Sequence, residues 1–198
     1  MFADVGCPYT HAGLRALVAQ RTERGLTEPL LRVRAWPLEI VNDGPLTGSS
    51  LAPGVEALQD GPAPLLFGGF DAADFPPTTL PALVSTAAAY RAGAETGEAF
   101  SLAVRDALWE RGRDVADHAV LAELRTALGV PDPTTADNAS IDSDLAEGRA
   151  RGVTGSPHFF TSSGDFFCPT LTISHDDGSM QVTFDADGFH QFVSAVFG

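Results

Sequence analysis

The chain contains no lysine, because all 12 of its basic residues are arginine. Schiff-base catalysis and a phosphate-binding P-loop both need a lysine amine, so the sequence excludes these two chemistries. Basic residues are also outnumbered, since 26 acidic residues leave a formal net charge of −14 at pH 7. A chain with this charge repels phosphate backbones and anionic lipid surfaces. We therefore expect neither a nucleic acid nor a membrane as partner.

Long apolar runs and cysteine are scarce as well. No run approaches the roughly 20 apolar residues that span a bilayer. The first eleven residues lack the basic and apolar segments of a secretory signal. Two cysteines, Cys7 and Cys168, are too few for a disulfide framework. We therefore expect a cytoplasmic protein, in which such cysteines are reactive or simply buried.

The first third of the chain predicts a strand, a helix and a second strand. Residues 2–5 resemble a short strand, and Pro8 stands where a helix running to about residue 24 begins. Alternating apolar residues predict a strand over residues 30–36, which ends before Pro37. The following forty residues are rich in glycine and proline, which predicts a loop with one short helix over residues 55–59.

A helical block and then a hairpin follow. Apolar spacing predicts helices that end at Gly93, before Gly112 and at Gly129, the third opened by Asp114 or Asp117, and a fourth over residues 137–151. The next segments predict a β-hairpin over residues 158–168, and residues 171–174 and 181–184 extend its strands around residues 176–178. A final helix is predicted over residues 186–197.

Cys7 is the residue with the clearest chemical potential. It lies between the first strand and the proline that opens the helix. A thiol there faces unpaired N–H groups and the positive end of the helix dipole, which favour the thiolate. Thr10 lies one turn later on the same face, where its hydroxyl can donate to the sulfur, and His11 lies beside it. The same pattern also allows a small, buried, apolar cysteine at a strand end.

Two segments carry a resemblance to a known family. Residues 4–10 (DVGCPYT) and 152–157 (GVTGSP) resemble motifs of the DsbA-like branch of the thioredoxin superfamily. That branch includes FrnE-like oxidoreductases, 2-hydroxychromene-2-carboxylate isomerases and kappa-class glutathione transferases. The resemblance implies an α/β, thioredoxin-like fold with a helical insertion between the second strand and the cis-proline strand. It assigns residues 1–50 and 137–198 to the thioredoxin-like domain and residues 51–136 to the insertion.

The resemblance also implies a site. It matches residues 7–10 (CPYT) to the four-residue active motif and Pro157 to the cis-proline that faces it. The implied catalytic residues are Cys7, Thr10 and Pro157, and those implied to contact a thiol ligand are Pro8, Tyr9, His11 and Ser156. The chain departs from the dithiol members at Thr10, where they carry a second cysteine, so a dithiol cycle within the motif is impossible. The first strand is also shorter than in the family.

Cys168 is a candidate second thiol. If Ser163 and Gly164 form a two-residue turn, Cys168 lies opposite Phe159, two residues from Pro157. In the family's fold it would then lie one strand beyond Cys7. A disulfide needs Cα atoms within about 7 Å, whereas a separation of two strands is roughly 10 Å. Packing as a small hydrophobe under the hairpin is the alternative.

A zinc site is a further alternative. His11 and His158 would supply, with the two cysteines, four ligands of suitable type. Their spacing matches no recognised Cys/His pattern, so we expect no metal, and we expect His158 at the hairpin surface.

The preferred interpretation is a DsbA/FrnE-like thiol–disulfide oxidoreductase that uses Cys7 in a monothiol mechanism. It requires no resident cofactor, but a low-molecular-weight thiol such as glutathione or mycothiol would complete turnover. Its partner would be a small-molecule thiol or a protein disulfide, and a homodimer is left open. Two alternatives are a thiol-cofactor-dependent isomerase or transferase of the same superfamily, and a redox-inactive peptide-binding domain.

Overall fold

A computed structural model describes residues 1–176 and 179–198. Eight helices lie in this part of the chain: α1 (Pro8–Glu23), α2 (Leu38–Val41), α3 (Gly48–Asp60), α4 (Leu80–Ala92), α5 (Ala94–Trp109), α6 (His118–Leu128), α7 (Thr135–Ala150) and α8 (Ala186–Phe197). The strands are β1 (Phe2–Ala3), β2 (Arg34–Ala35), β3 (His158–Thr161), β4 (Gly164–Phe167), β5 (Leu171–Asp176) and β6 (Ser179–Phe184). No helix within the described ranges combines the length and apolar character needed to cross a membrane.

The main sheet has four strands in the order β2-β1-β3-β4. Strand β1 is parallel to β2 and antiparallel to β3, and β3 forms an antiparallel hairpin with β4. Strands β5 and β6 form a separate antiparallel pair that packs against α3. The prediction that these two strands extend the hairpin was therefore wrong. Asp177 and Gly178, from the predicted turn between them, lie outside the described residues.

Helix ends with strong local signals match the predictions. Helix α1 starts at Pro8, and α4 ends before Gly93. Helix α6 is capped at its start by Asp117, whose side chain accepts the Ala119 N–H. Gly129 closes α6 in the left-handed conformation that glycine adopts without steric cost.

The second strand is shorter than predicted, because a side chain takes over the hydrogen bonds of the residues before it. The Tyr90 hydroxyl accepts the Val33 N–H at 2.9 Å and donates to the Leu31 carbonyl at 2.7 Å. These two backbone groups are thus satisfied by α4 rather than by a neighbouring strand.

The predicted loop before the helical block contains two helices: α3 includes the short helix predicted over residues 55–59 but is longer, and α2 was not predicted. Helix α3 begins with a capping box, in which Thr47 and Ser50 satisfy each other's backbone N–H groups. It continues through Pro53 and buries Val55 and Leu58 in the core. Burial of this apolar face outweighs the local cost of the proline.

The core centres on Trp109 at the end of α5. Its ring packs against Phe67, Phe70 and Phe75, with centroids 5.4–5.7 Å away. Its indole N–H donates to the Val5 carbonyl at 3.0 Å, so the chain that leads into α1 is anchored directly to the helical block. The core therefore fixes the position of the first helix relative to the rest of the fold.

Replacing Gly97 with alanine should destabilise the fold. The added Cβ would overlap the base of the Tyr90 ring, which is held by its two hydrogen bonds and cannot simply rotate away. We expect a loss of about 1–3 kcal/mol, the usual cost of overpacking. Urea unfolding measures it, with Gly44→Ala as control, because no atom lies near a Cβ added there. Equal stability of the two variants would contradict this packing.

Candidate active site

Cys7 occupies the N-cap of α1, directly before Pro8 in the first helical position. Its side chain is buried, with 3% of its surface exposed. The Cys7 Sγ donates to the Ser156 carbonyl at 2.9 Å. The resting residue is thus a thiol whose proton is held by the chain segment that precedes Pro157.

Ser156 links that segment to the start of α1. The peptide bond between Ser156 and Pro157 is cis. The Ser156 Oγ accepts the Asp4 N–H at 2.9 Å and lies 2.8 Å from the Thr10 Oγ1. When Ser156 donates to Thr10, the proton of the Thr10 hydroxyl is free to point at the Cys7 sulfur. A chain of hydrogen bonds then runs from Asp4 through Ser156 and Thr10 to Cys7.

Burial controls the protonation of Cys7. It raises the pKa of the thiol above its ordinary value, whereas hydrogen bonding by the hydroxyl and the N–H of Thr10 acts in the opposite direction. The expectation that the helix start favours the thiolate was therefore wrong for the resting protein. Desolvation of the charged sulfur outweighs the hydrogen bonds that stabilise its charge.

Asp4 is a site residue that the sequence analysis missed. Its carboxylate is completely buried and accepts hydrogen bonds from the Gly6 N–H at 2.8 Å, the Leu38 N–H at 2.6 Å and the Thr79 hydroxyl at 2.7 Å. Burial raises the pKa of Asp4, and these three donors oppose the rise. One side chain thus joins β1, the turn before Cys7, α2 and the start of α4.

Arg105, also missed, lies buried beside Asp4. Its guanidinium donates to the Asp4 carbonyl at 3.1 Å and to the carbonyl and hydroxyl of Ser101 at 2.8 and 2.6 Å. Burial lowers the pKa of Arg105, and the charge of Asp4 counters that shift. No periodic pattern marks either residue, because their burial depends on contacts across about a hundred positions of the chain.

His11 is directed into the helical block. Its Nε2 lies 2.6 Å from the Glu110 Oε1, and its ring packs against Phe67 and Trp109. Burial lowers the pKa of His11, and Glu110 opposes this shift, so the neutral ring donates its Nε2–H to the carboxylate. This residue fixes α1 against the end of α5.

Tyr9 is similarly occupied. Its hydroxyl donates to the Met180 Sδ at 3.2 Å, and its ring lies against Gly54 of α3. Four residues were implied to contact a thiol ligand. Of these, Pro8 follows Cys7 directly in the chain, and the Ser156 carbonyl contacts the Cys7 sulfur.

The hairpin differs from the prediction by one residue. Thr161 pairs with Gly164, so Ser162 and Ser163 form the turn. Cys168 consequently lies opposite Pro157 rather than Phe159, and its N–H donates to the Pro157 carbonyl at 3.0 Å. Cys7 and Cys168 are both free and buried, and they flank the same cis peptide segment.

His158 is buried, so the prediction that it faces the hairpin surface was wrong. Its Nδ1 accepts the Thr154 N–H at 3.2 Å, its Nε2 lies 2.9 Å from Asp165, and its ring stacks on Phe160. Both nitrogens of His158 and the Nε2 of His11 thus have other partners. Within residues 1–176 and 179–198, no group of three or more His, Cys, Asp or Glu side chains is arranged to hold a metal ion.

The geometry, with its mixed sheet, a cysteine at the start of α1 and a facing cis-proline, is that of an α/β protein with the DsbA-like thioredoxin fold. Comparison with solved structures confirms this fold. A 2-hydroxychromene-2-carboxylate isomerase superposes with a TM-score of 0.61 at 16% identity, over 84% of this chain and 86% of the isomerase.

A second neighbour is the cytosolic disulfide reductase DsbM from Pseudomonas aeruginosa. It superposes with a TM-score of 0.57 at 19% identity, over 97% of this chain and 89% of DsbM. The structure of DsbM with GSH gives a TM-score of 0.52 at 20% identity, over 83% and 86% of the two chains. No protein-family model matches the chain, and no curated protein sequence matches it significantly.

Replacing Thr10 with valine should raise the pKa of Cys7 further. The substitution removes the hydroxyl that stabilises the thiolate and leaves the volume nearly unchanged. A hydrogen bond to a charged group contributes about 1.5–3 kcal/mol, so we expect alkylation at pH 8 to slow by roughly tenfold or more. Iodoacetamide rates measured against pH report the shift. Thr10→Ser, which keeps a hydroxyl, is the matched control, and equal rates for the two variants would contradict the proposed role of Thr10.

His11 should make stability depend on pH. Burial holds the pKa of His11 in the folded protein below its ordinary value of 6.5, so the unfolded chain binds the proton first as the pH falls. The contribution of neutral His11 to the free energy of unfolding is complete above about pH 6.5. It is lost as the pH falls from that value through the lower pKa of the folded protein. His11→Gln keeps a donor for Glu110 but does not titrate. We expect the unfolding free energy of the wild type to fall more steeply than that of His11→Gln between pH 7 and 5, and parallel curves would contradict this assignment.

Proposed function

We propose that the protein is a thiol–disulfide oxidoreductase of the DsbA-like type that acts by a monothiol mechanism, with Cys7 as its nucleophile. The observation that carries the proposal is the contact between the Cys7 thiol and the Ser156 carbonyl, beside the cis bond to Pro157. The sulfur is thereby placed against a buried backbone carbonyl, to which a substrate chain would have to gain access. DsbM, a disulfide reductase, has the same fold.

Substrate recognition in this proposal depends on Ser156 and Pro157. Pro157 has no N–H, and its carbonyl already accepts the Cys168 N–H. The Ser156 carbonyl accepts the Cys7 thiol, so a substrate N–H that pairs with this carbonyl competes with the thiol proton. Binding of a substrate backbone would thus release the sulfur for reaction.

The chemical step is a thiol–disulfide exchange. The Cys7 thiolate attacks one sulfur of a substrate disulfide, a bond forms between them, and the other sulfur leaves as a thiolate that takes up the proton lost by Cys7. Thr10 and the N–H groups at the start of α1 stabilise the negative charge on Cys7 before attack. A second thiol then attacks the mixed disulfide and restores Cys7.

Thr10 cannot supply that second thiol, so we propose glutathione or mycothiol for this role. The structure of DsbM with GSH supports a low-molecular-weight thiol as ligand of this fold. We propose a cytoplasmic location, because such thiols keep cysteines reduced there. The neighbour DsbM is a cytosolic protein.

A thiol-cofactor-dependent isomerase is the second candidate. It is favoured by Thr10, whose hydroxyl can hold the sulfur of a bound thiol where dithiol members have a cysteine, and by the fold of the isomerase neighbour. In this case glutathione binds without forming a disulfide. Intact mass and titration calorimetry distinguish the candidates. A mixed disulfide on Cys7 after treatment with oxidised glutathione favours the exchange mechanism, whereas saturable binding of reduced glutathione without any mixed disulfide favours the isomerase type.

Replacing Cys7 with serine should abolish thiol exchange. Serine keeps the hydrogen bond to Ser156 but provides no sulfur to attack a disulfide. We expect reduction of hydroxyethyl disulfide by glutathione to fall to the uncatalysed rate, measured through coupled NADPH consumption. Cys168→Ser, which removes the other thiol, should still form a mixed disulfide. Activity retained in Cys7→Ser would refute this mechanism, and an inert wild type would favour the peptide-binding alternative.

A further inference from the structure

We propose that Cys168 is a resolving thiol for Cys7, so that the protein forms an internal disulfide between its first helix and its hairpin. This inference rests on the proposed exchange chemistry of Cys7 and extends it. Cys168 would take the role of the second cysteine of a dithiol motif, although it lies 161 positions after Cys7 in the chain.

The placement of the two cysteines is the first argument. The Cys7 Sγ lies 2.9 Å from the Ser156 carbonyl, and the Cys168 N lies 3.0 Å from the Pro157 carbonyl. The two residues therefore contact consecutive carbonyl groups of one segment from its two sides. The observed hairpin register brings Cys168, the residue after β4, opposite Pro157, two positions closer to Cys7 than pairing with Phe159 would place it.

The backbone of Cys168 is the second argument. Its φ is +44°, in the left-handed region that residues with a Cβ seldom adopt. Such conformations persist where the surrounding structure imposes them, and they cluster at functional sites. Glycine would occupy this position without steric cost, yet the chain places a thiol there.

The surroundings of Cys168 are the third argument. Burial raises the pKa of Cys168 to about 12, and the charge of Cys7 adds to this rise. The two cysteines also act together on the pKa of Tyr9, after its burial. Cys168 therefore stays protonated in the resting protein. The chain that follows it packs on the helix that Cys7 begins, since the Thr170 Oγ1 would lie 3.1 Å from a Cβ added at Gly13.

The reaction balances with the substrate disulfide as oxidant. After Cys7 has formed a mixed disulfide with one half of the substrate, the Cys168 thiolate attacks the Cys7 sulfur. A bond forms between the two cysteine sulfurs, and the bond between Cys7 and the substrate breaks. The half of the substrate that was bound to Cys7 leaves as a thiolate and takes up the proton lost by Cys168. The protein loses two electrons and the substrate disulfide gains them. Two molecules of a small thiol, such as glutathione, then reduce the internal disulfide.

The test treats the reduced protein with oxidised glutathione, quenches it with acid and measures the intact mass over time. The wild type should pass through a transient glutathione adduct and end two hydrogens lighter, with no thiol left for alkylation. Cys168→Ala should stop at a stable adduct of one glutathione. Cys168→Gly should also stop at this adduct. Because glycine suits the left-handed backbone at this position, this variant controls for a folding defect in Cys168→Ala. Circular dichroism checks that both variants are folded.

Peptide mapping identifies the bridge. Trypsin cuts this chain only at arginine, so residues 1–15 carry Cys7 and residues 152–198 carry Cys168. The expected product is these two peptides joined by a bond that a reductant breaks. A wild-type adduct as stable as that of Cys168→Ala would overturn the role of Cys168 and leave the exchange mechanism intact. Absence of any adduct on Cys168→Ala and Cys168→Gly would instead refute the proposed function of Cys7.

Discussion

The site depends on the buried carboxylate of Asp4. A charged group without solvent must be surrounded by donors, and the chain supplies them from three separate places: the turn before Cys7, the start of α2 and the residue before α4. Its own backbone N–H binds the Ser156 hydroxyl, which contacts Thr10. The position of the cysteine relative to the cis-proline segment thus follows from satisfying one buried charge.

The starts or ends of α1, α4 and α6 and the presence of the hairpin could be predicted from the sequence, because their signals are local. Pro8 at the start of α1, Asp117 and Gly129 at the ends of α6, and the apolar strands of the hairpin each act over a few residues. The fold class followed from the CPYT and GVTGSP segments, and the comparison with solved structures confirmed it.

The remaining features depend on contacts between distant parts of the chain. Tyr90 shortens the second strand by hydrogen bonding to the backbone of Leu31 and Val33. No residue within 30–36 predicts this contact. The hairpin register was missed because glycine was expected inside the two-residue turn. Instead Thr161 donates to the Gly164 carbonyl and accepts the Ser163 N–H, which holds the turn on the two serines. The protonation of Cys7 was misjudged for a related reason, since a helix start is visible in a sequence and its desolvation is not.

The two-serine turn at the hairpin tip has a consequence for how this fold can diverge. The tip is exposed, and turns of this kind tolerate a change of length at little cost to stability. One residue gained or lost there would shift the register of β4 against β3 and move Cys168, the residue after β4, away from Pro157. Because side chains alternate between the two faces of a strand, the shift would also turn each side chain of β4 to the other face. The length of a surface loop thereby decides which residue lies opposite Pro157. Chemical novelty in such a protein can arise by insertion at the periphery rather than by substitution at the centre.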